Sequence, residues 1–153
     1  MVNDSNISNH WLKKINKLIS IVRYSEFYFS FPKKTKVLIY RKKTSSEIVD
    51  FFDDEHTEFL QTITEGVNLL VLLMSLIKRR GYYNEYVKIV NPQLLISYAD
   101  NDFKFLEILP PSNCVKITIQ NGFRSALGDI FWELHNNKVK TRELYVDYAC
   151  MFG

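Results

Sequence analysis

Two short polar stretches carry most of the side chains in this chain that could do chemistry. Asp100, Asn101 and Asp102 follow an apolar run at residues 94–99, and Gln120, Asn121, Gly122, Phe123 and Arg124 follow another at residues 115–119. Carboxylates and amides bind sugar hydroxyls or take part in proton transfer, and a guanidinium such as Arg124 pairs with a phosphate or carboxylate. Backbone N–H groups near Gly122 add further donors. The same residues have a structural reading. Asp and Asn after a strand form turns and cap the next helix, a role open to Asp100 and Asp102, and Gly122 serves a backbone need such as positive φ. For Gln120, Asn121 and Arg124, solvated loop residues and site residues explain the sequence equally well.

Other familiar chemistry is missing from the sequence. No glycine-rich dinucleotide fingerprint follows the first apolar run, and no Walker loop occurs. His10, His56 and His135 are isolated from one another, and Cys114 and Cys150 each lie in an apolar stretch without a nearby His, so no metal cluster is expected. No Ser, His and Asp set stands out as a triad, and His135 reads as a surface residue. The Arg-and-aromatic pattern of an RNA-binding sheet is absent too, so nucleic acid is not an expected partner.

The elements that must position the two polar stretches follow from periodicity. Residues 36–41 read as a first strand covered on both faces. Ser45 and Ser46 precede Glu47, Ile48, Val49, Phe51 and Phe52, which fit a helix with a serine cap. A short second strand is read within 57–63. Thr62 and Glu65 have capping-box spacing, which predicts a helix over 66–80. That helix is apolar on almost every side and is expected to be covered on nearly all faces. Lys78, Arg79 and Arg80 complement its dipole, and Gly81 ends it. A helix over 83–90 is stopped by Pro92. Strands follow at 94–98 and 115–119, with a short helix at 103–109 between them, closed by Pro110 and Pro111, and a last strand covers 145–152. Residues 27–32, an aromatic stretch closed by Pro32, are either a short edge strand or an anchoring linker.

This alternation is βαβ repetition. It predicts an α/β fold, a Rossmann-like open parallel sheet with helices on both faces. Such sheets bind ligands beyond the carboxyl ends of their strands, which puts both polar stretches on one edge. The organisation expected is a basic amphipathic helix and aromatic linker over residues 1–34, then a Rossmann-like domain over 35–153. Because the chain stops at Gly153 directly after a strand, the domain reads as truncated before a second one.

Composition agrees with a single globular unit. The chain has 153 residues, 46% apolar and 24% charged, enough to bury a core without a disulfide or metal. Eleven Phe and nine Tyr are a surplus that points to some rings at an interface. Net charge is +3 but uneven: residues 1–43 hold ten Lys/Arg against two acids, and residues 44–153 hold ten against fifteen. Residues 10–23 place Trp11, Ile15, Leu18, Ile19 and Val22 on one helical stripe with lysines opposite, which suits an anionic membrane surface or a neighbouring domain. No secretory signal opens the chain, and the longest apolar run, residues 67–77, is well short of the ~20 residues needed to cross a bilayer. The expected location is the cytoplasm, or the inner face of a membrane as a peripheral protein.

Three stretches together resemble a family of bacterial surface carbohydrate biosynthesis proteins, which are glycosyltransferase-like and of GT-B type. They are Phe29-Ser30-Phe31-Pro32-Lys33-Lys34 running into Val37-Leu38-Ile39-Tyr40; Glu65-Gly66-Val67-Asn68-Leu69; and residues 92–102 followed by Ile117-Thr118-Ile119-Gln120-Asn121-Gly122-Phe123-Arg124. The closing Val146-Asp147-Tyr148-Ala149-Cys150-Met151-Phe152-Gly153 resembles the strand where such proteins turn toward a second domain. Arg41 stands where similar sequences often carry an acidic residue. The resemblance implies the N-terminal, acceptor-side half of an enzyme that transfers a sugar onto a surface polysaccharide or glycolipid precursor. The implied site is Asp100, Asn101, Asp102, Gln120, Asn121, Gly122 and Arg124, binding a carbohydrate or lipid-linked sugar acceptor. It implies no cofactor bound by this domain, with a nucleotide-sugar donor held by the missing half, and no activity for the isolated chain. The alternative is a non-catalytic interaction module that uses the aromatic and basic N-terminal surface for a partner, or for self-association.

Overall fold

The computed structural model describes Ile19, residues 22–63, residues 65–120, Gly122 and residues 144–151. Its elements run β1 (Glu26–Tyr28), β2 (Val37–Tyr40), α1 (Ser46–Val49), a 3-10 turn (Asp54–His56), β3 (Thr57–Leu60), β4 (Gly66–Asn68), α2 (Leu69–Ile77), α3 (Tyr82–Val90), β5 (Leu94–Ser97), α4 (Phe103–Leu106), β6 (Val115–Ile119) and β7 (Tyr148–Cys150). Five strands form one sheet in the order β3-β2-β5-β6-β7, and β1 pairs with β4 beside it. Every pairing among these strands is parallel. The chain is therefore an α/β, Rossmann-like domain, as the alternation of apolar runs and helical periodicity predicts.

Side-chain alternation splits the core between the two faces. Leu38 and Tyr40 of β2, Leu60 of β3 and Leu95 of β5 meet Tyr82, Tyr86, Val87 and Val90 of α3 and Phe105 and Leu106 of α4. Ile39 and Ile96 face the other way, onto Ile48 of α1. The aromatic surplus divides accordingly. Tyr40, Tyr82, Tyr86 and Phe105 are core residues, whereas Tyr24, Phe29, Phe31, Phe51 and Tyr148 are exposed.

Several boundaries differ from the sequence reading, each for a local reason. The capping-box pair Thr62 and Glu65 closes a turn between β3 and β4, not a helix: the Thr62 N–H and hydroxyl both donate to the Glu65 carboxylate, and the Glu65 and Gly66 N–H groups donate back to the Thr62 carbonyl. Residues 66–68 then pair with β1, and the helix begins only after Asn68, whose side chain accepts from the Val71 N–H. Gly81 does not end α2. The left-handed position is Arg79, at φ 51°, with Arg80 N–H donating to the Ser75 carbonyl and Arg79 N–H to the Leu76 carbonyl, and Gly81 instead opens α3. Ser45 does not cap α1 with its side chain; its hydroxyl turns back to the Tyr40 carbonyl. The expectation that α2 is covered on nearly all faces fails as well, because Leu73, Leu76 and Ile77 are exposed. Of the helix expected over residues 10–23, only Ile19, Val22 and Arg23 are described, in helical conformation; the remainder lies outside the described residues.

The buried ammonium of Lys116 is costly to desolvate. Lys116 is fully buried on β6, and its Nζ donates to the carbonyls of Leu106 (2.9 Å) and Ile108 (2.7 Å) above the Phe105 ring. It thereby satisfies carbonyls that the end of α4 leaves without helical partners. Burial pushes its pKa down from 10.5 to about 8, against the opposing pull of Asp147. Between those two values the unfolded chain holds more protons than the folded one, so this group's contribution to stability rises with pH across the window. Urea denaturation of the wild type and of Lys116→Met at pH 7 and pH 10 should show the wild type gaining on the variant at high pH, by on the order of 2 kcal/mol. A pH-independent difference would mean that the ammonium is better solvated than its burial implies.

Candidate functional site

Strand order decides where the carboxyl edge opens. From β2 the chain passes through α1 to β3 on one side, and from β5 it passes through α4 to β6 on the other. The point between the carboxyl ends of β2 and β5 is thus a topological switch point, the place where open α/β sheets take ligands. Arg41 leaves β2 there, and the Asp100–Asp102 stretch leaves β5.

Arg41 is held in a conformation few side chains adopt. Its φ is 60°, which costs a residue other than glycine about 1–2 kcal/mol. The surroundings fix it from both sides: its N–H donates to the Leu60 carbonyl of β3 (2.9 Å), while its own carbonyl accepts from the Ser45 N–H (3.1 Å) and the Thr44 hydroxyl (3.2 Å). The side chain then spans the switch point. Nη1 lies 3.3 Å from Asp102 Oδ2, and Nε lies 3.9 Å from Glu65 Oε1, too far for a hydrogen bond, and is buried without an acceptor among the described residues.

Asp102 has two tasks. Oδ1 accepts from the Lys104 N–H (2.9 Å), capping α4, and Oδ2 accepts from the Tyr40 hydroxyl (3.2 Å) as well as from Arg41. Burial, followed by the charge of Asp102, holds the Tyr40 hydroxyl far above its ordinary pKa, so it stays a proton donor. Tyr83 packs edge-on to Tyr40 with centroids 6.1 Å apart, and its oxygen accepts from the Ile63 N–H. Burial raises its pKa as well. Four segments therefore converge on this cluster: the end of β2, the β3–β4 turn, the start of α3 and the cap of α4.

Of the second polar stretch, Gln120 and Gly122 are described, and they follow β6 on the same edge. β5 and β6 pair with Ser97 opposite Thr118, and the Ser97 and Thr118 hydroxyls both donate to the Ala99 carbonyl. Asp100, next along, is buried, and Asn101 is exposed. The Gln120 amide donates to the Gly122 carbonyl (2.7 Å), and the Gln120 N–H donates to Cys150 of β7 (2.9 Å), so this residue secures its own turn. Asn121 and Arg124 lie outside the described residues. Sequence reasoning placed Asp100, Asn101, Asp102, Gln120 and Gly122 on the edge where they are found, and anticipated capping by Asp102. It did not assign Arg41, Glu65, Tyr40 or Tyr83 to the site. In the strand pattern, the signal at Arg41 was a charged residue closing an apolar run.

One other cluster has residue types suited to a metal. Asp53, Glu55 and His56 approach one another at the 3-10 turn before β3, away from the carboxyl edge, and all three are exposed. Asp53 spends Oδ1 on the Glu55 N–H and Oδ2 on His56 Nδ1, which hold its carboxyl below the usual range. That is a turn cap satisfied by its own segment.

No family model, no curated protein and no solved structure matches the chain. The site is therefore read on its chemistry alone.

The dual role of Asp102 separates by substitution. Asn caps a helix about as well as Asp but carries no charge toward Arg41, whereas Ala does neither. Asp102→Ala should lose about 1 kcal/mol more stability than Asp102→Asn in urea denaturation. Equal losses would show that the cap contributes nothing and that the ion pair alone matters.

Proposed function

We propose that this chain is the acceptor-side domain of a glycosyltransferase-like protein of surface polysaccharide or glycolipid biosynthesis, and that its sugar acceptor lies on the carboxyl edge over Arg41 and Asp102. One observation carries the reading: a guanidinium forced to positive φ at the switch point, facing a carboxylate, with Asn101 exposed beside them. Strain of this kind persists where the surroundings over-determine it, and it gathers at functional sites. Carboxylate, amide and guanidinium are also the groups that recognise sugar hydroxyls. On this reading the domain itself binds no cofactor. A nucleotide-sugar donor belongs to a second domain, and the basic stripe within residues 10–23 brings the site to an anionic membrane where lipid-linked acceptors reside. No helix among the described residues is long and apolar enough to cross a membrane.

A second reading has one observation in its favour. The exposed Leu73, Leu76 and Ile77 lie on one face of α2, as they would in an interaction module that docks on a partner and transfers nothing.

Glycine at position 41 tests the first reading cleanly, because it removes the guanidinium and the backbone strain together. Arg41→Gly should keep its melting temperature within a few degrees, strain relief offsetting the lost ion pair. In saturation-transfer NMR with a panel of monosaccharides and short oligosaccharides, the same variant should lose about tenfold or more in affinity. Wild-type affinity in the variant, or no saturable binding by the wild type, would remove the sugar site from this edge and leave the interaction module.

A further inference from the structure

A separate cleft of about 450 Å³ opens at the outer edge of β3, between that strand and the β1–β4 pair. Small-molecule sites have volumes of roughly 300–1,000 Å³. The walls of this one are held in place by specific contacts. At the back, Gly66 lacks a side chain where a Cβ would fall 1.8 Å from Gln61 Oε1 and 2.8 Å from Tyr28 Cε2, so both side chains close onto the strand. Gln61 Nε2 then donates to the Tyr28 hydroxyl (3.1 Å), which fixes the ring. At the front, residues 30–33 cross as a strap tied at both ends. Asn68 Nδ2 donates to the Ser30 carbonyl (2.6 Å), and the Lys33 N–H donates to Glu58 Oε2 (3.2 Å).

The charges facing the cleft are unequally committed. The Glu58 carboxylate is used by the protein, since its other oxygen accepts from the Phe59 N–H (3.1 Å). Lys33 and Lys42 have no ion-pair partner among the described residues, both are exposed, and the Lys42 ammonium rests 5.1 Å from the centre of the Phe59 ring. Lys33 and Lys42 line the cavity with Tyr28, Phe31 and Phe59, so two cationic residues stand against one hydrogen-bonded carboxylate, and the Tyr28 and Phe31 rings lie beside them. Such a combination selects an anion joined to a ring: the charges take the anionic head and the aromatic rings stack on the body. We infer that this cleft binds a phosphate monoester of a ring compound, either a sugar phosphate or a nucleoside monophosphate. The cleft is distinct from the carboxyl-edge site, and the inference does not rest on the acceptor reading.

The test is calorimetric titration of the full chain with glucose 1-phosphate and with uridine monophosphate, alongside glucose, uridine and inorganic phosphate. At least one of the two esters should bind saturably, about tenfold or more tighter than its own two fragments; which ester prevails tells a sugar body from a base. The double variant Lys33→Gln, Lys42→Gln should lose about tenfold or more, and Phe31→Ala several-fold, with unchanged melting temperatures because all three side chains are exposed. In an Arg41→Gly background the Lys33→Gln, Lys42→Gln double change should still lower ester affinity about tenfold or more, which keeps this result separate from the acceptor site. The inference is overturned if neither ester binds, if inorganic phosphate binds as tightly as the esters, or if the lysine double variant retains full affinity.

Discussion

A parallel strand in the middle of a sheet needs partners on both edges and cover on both faces, because no hairpin return can satisfy its backbone locally. β2 is that strand here. It pairs with β3 on one side and β5 on the other, and Leu38, Ile39 and Tyr40 have no exposed surface. Because β2 is pinned in this way, the residue that follows it has little freedom. Arg41 must still donate to Leu60 of β3 while the chain turns at once toward α1. Left-handed backbone meets both demands, and it delivers the guanidinium to the gap between β2 and β5. The ion pair with Asp102 is thus a consequence of how the central strand is held.

The sheet's outer strand shows a complementary problem. Among the described residues β3 has no further strand partner beyond β2, and an unpaired edge invites association with another strand. The Phe59 N–H donates to the carboxylate of the preceding Glu58, and its carbonyl accepts from the Tyr86 hydroxyl at 3.2 Å. Side chains take the place of a neighbouring strand, and the strap at residues 30–33 runs alongside. The same arrangement that blunts the edge leaves a cleft in front of it, because side-chain partners fill less space than a strand would.

Buried polar groups recur where helices end. Lys116 serves the carbonyls after α4, Asn68 opens α2, Asp102 opens α4, and Glu85, fully buried, receives Lys78 and Arg80 from the end of α2. The Lys78 hydrogen bond and the two positive charges hold the Glu85 carboxyl below its usual range, against the cost of burial. Short helices of four to nine residues leave a large share of their backbone groups without internal partners. In a domain of such helices, side chains from other elements must supply the missing bonds.

Local pattern alone determined the α/β class, the parallel strands at residues 36–41, 94–98 and 115–119, and the placement of Asp100–Asp102, Gln120 and Gly122 on one edge. Each of these follows from apolar periodicity and from the fact that parallel strands all leave the sheet at the same end. The pattern failed where two structures share one signature. The Thr62–Glu65 spacing fits a helix cap and a strand-linking turn alike, and only the pairing of residues 66–68 with β1 chose the turn. An apolar residue reads the same whether covered or exposed, so Leu73, Leu76 and Ile77 carried no mark of their exposure. Lys116 gave no sign of burial, because the carbonyls that hold it come from a different element. Arg41 belongs to the same group. Its sequence neighbours say only that a strand ends, whereas the partners of its N–H and guanidinium, Leu60, Glu65 and Asp102, lie 19 or more positions away. Which residues can become a site is written in local composition; which of them meet depends on strand order, and strand order exists only once the sheet has formed.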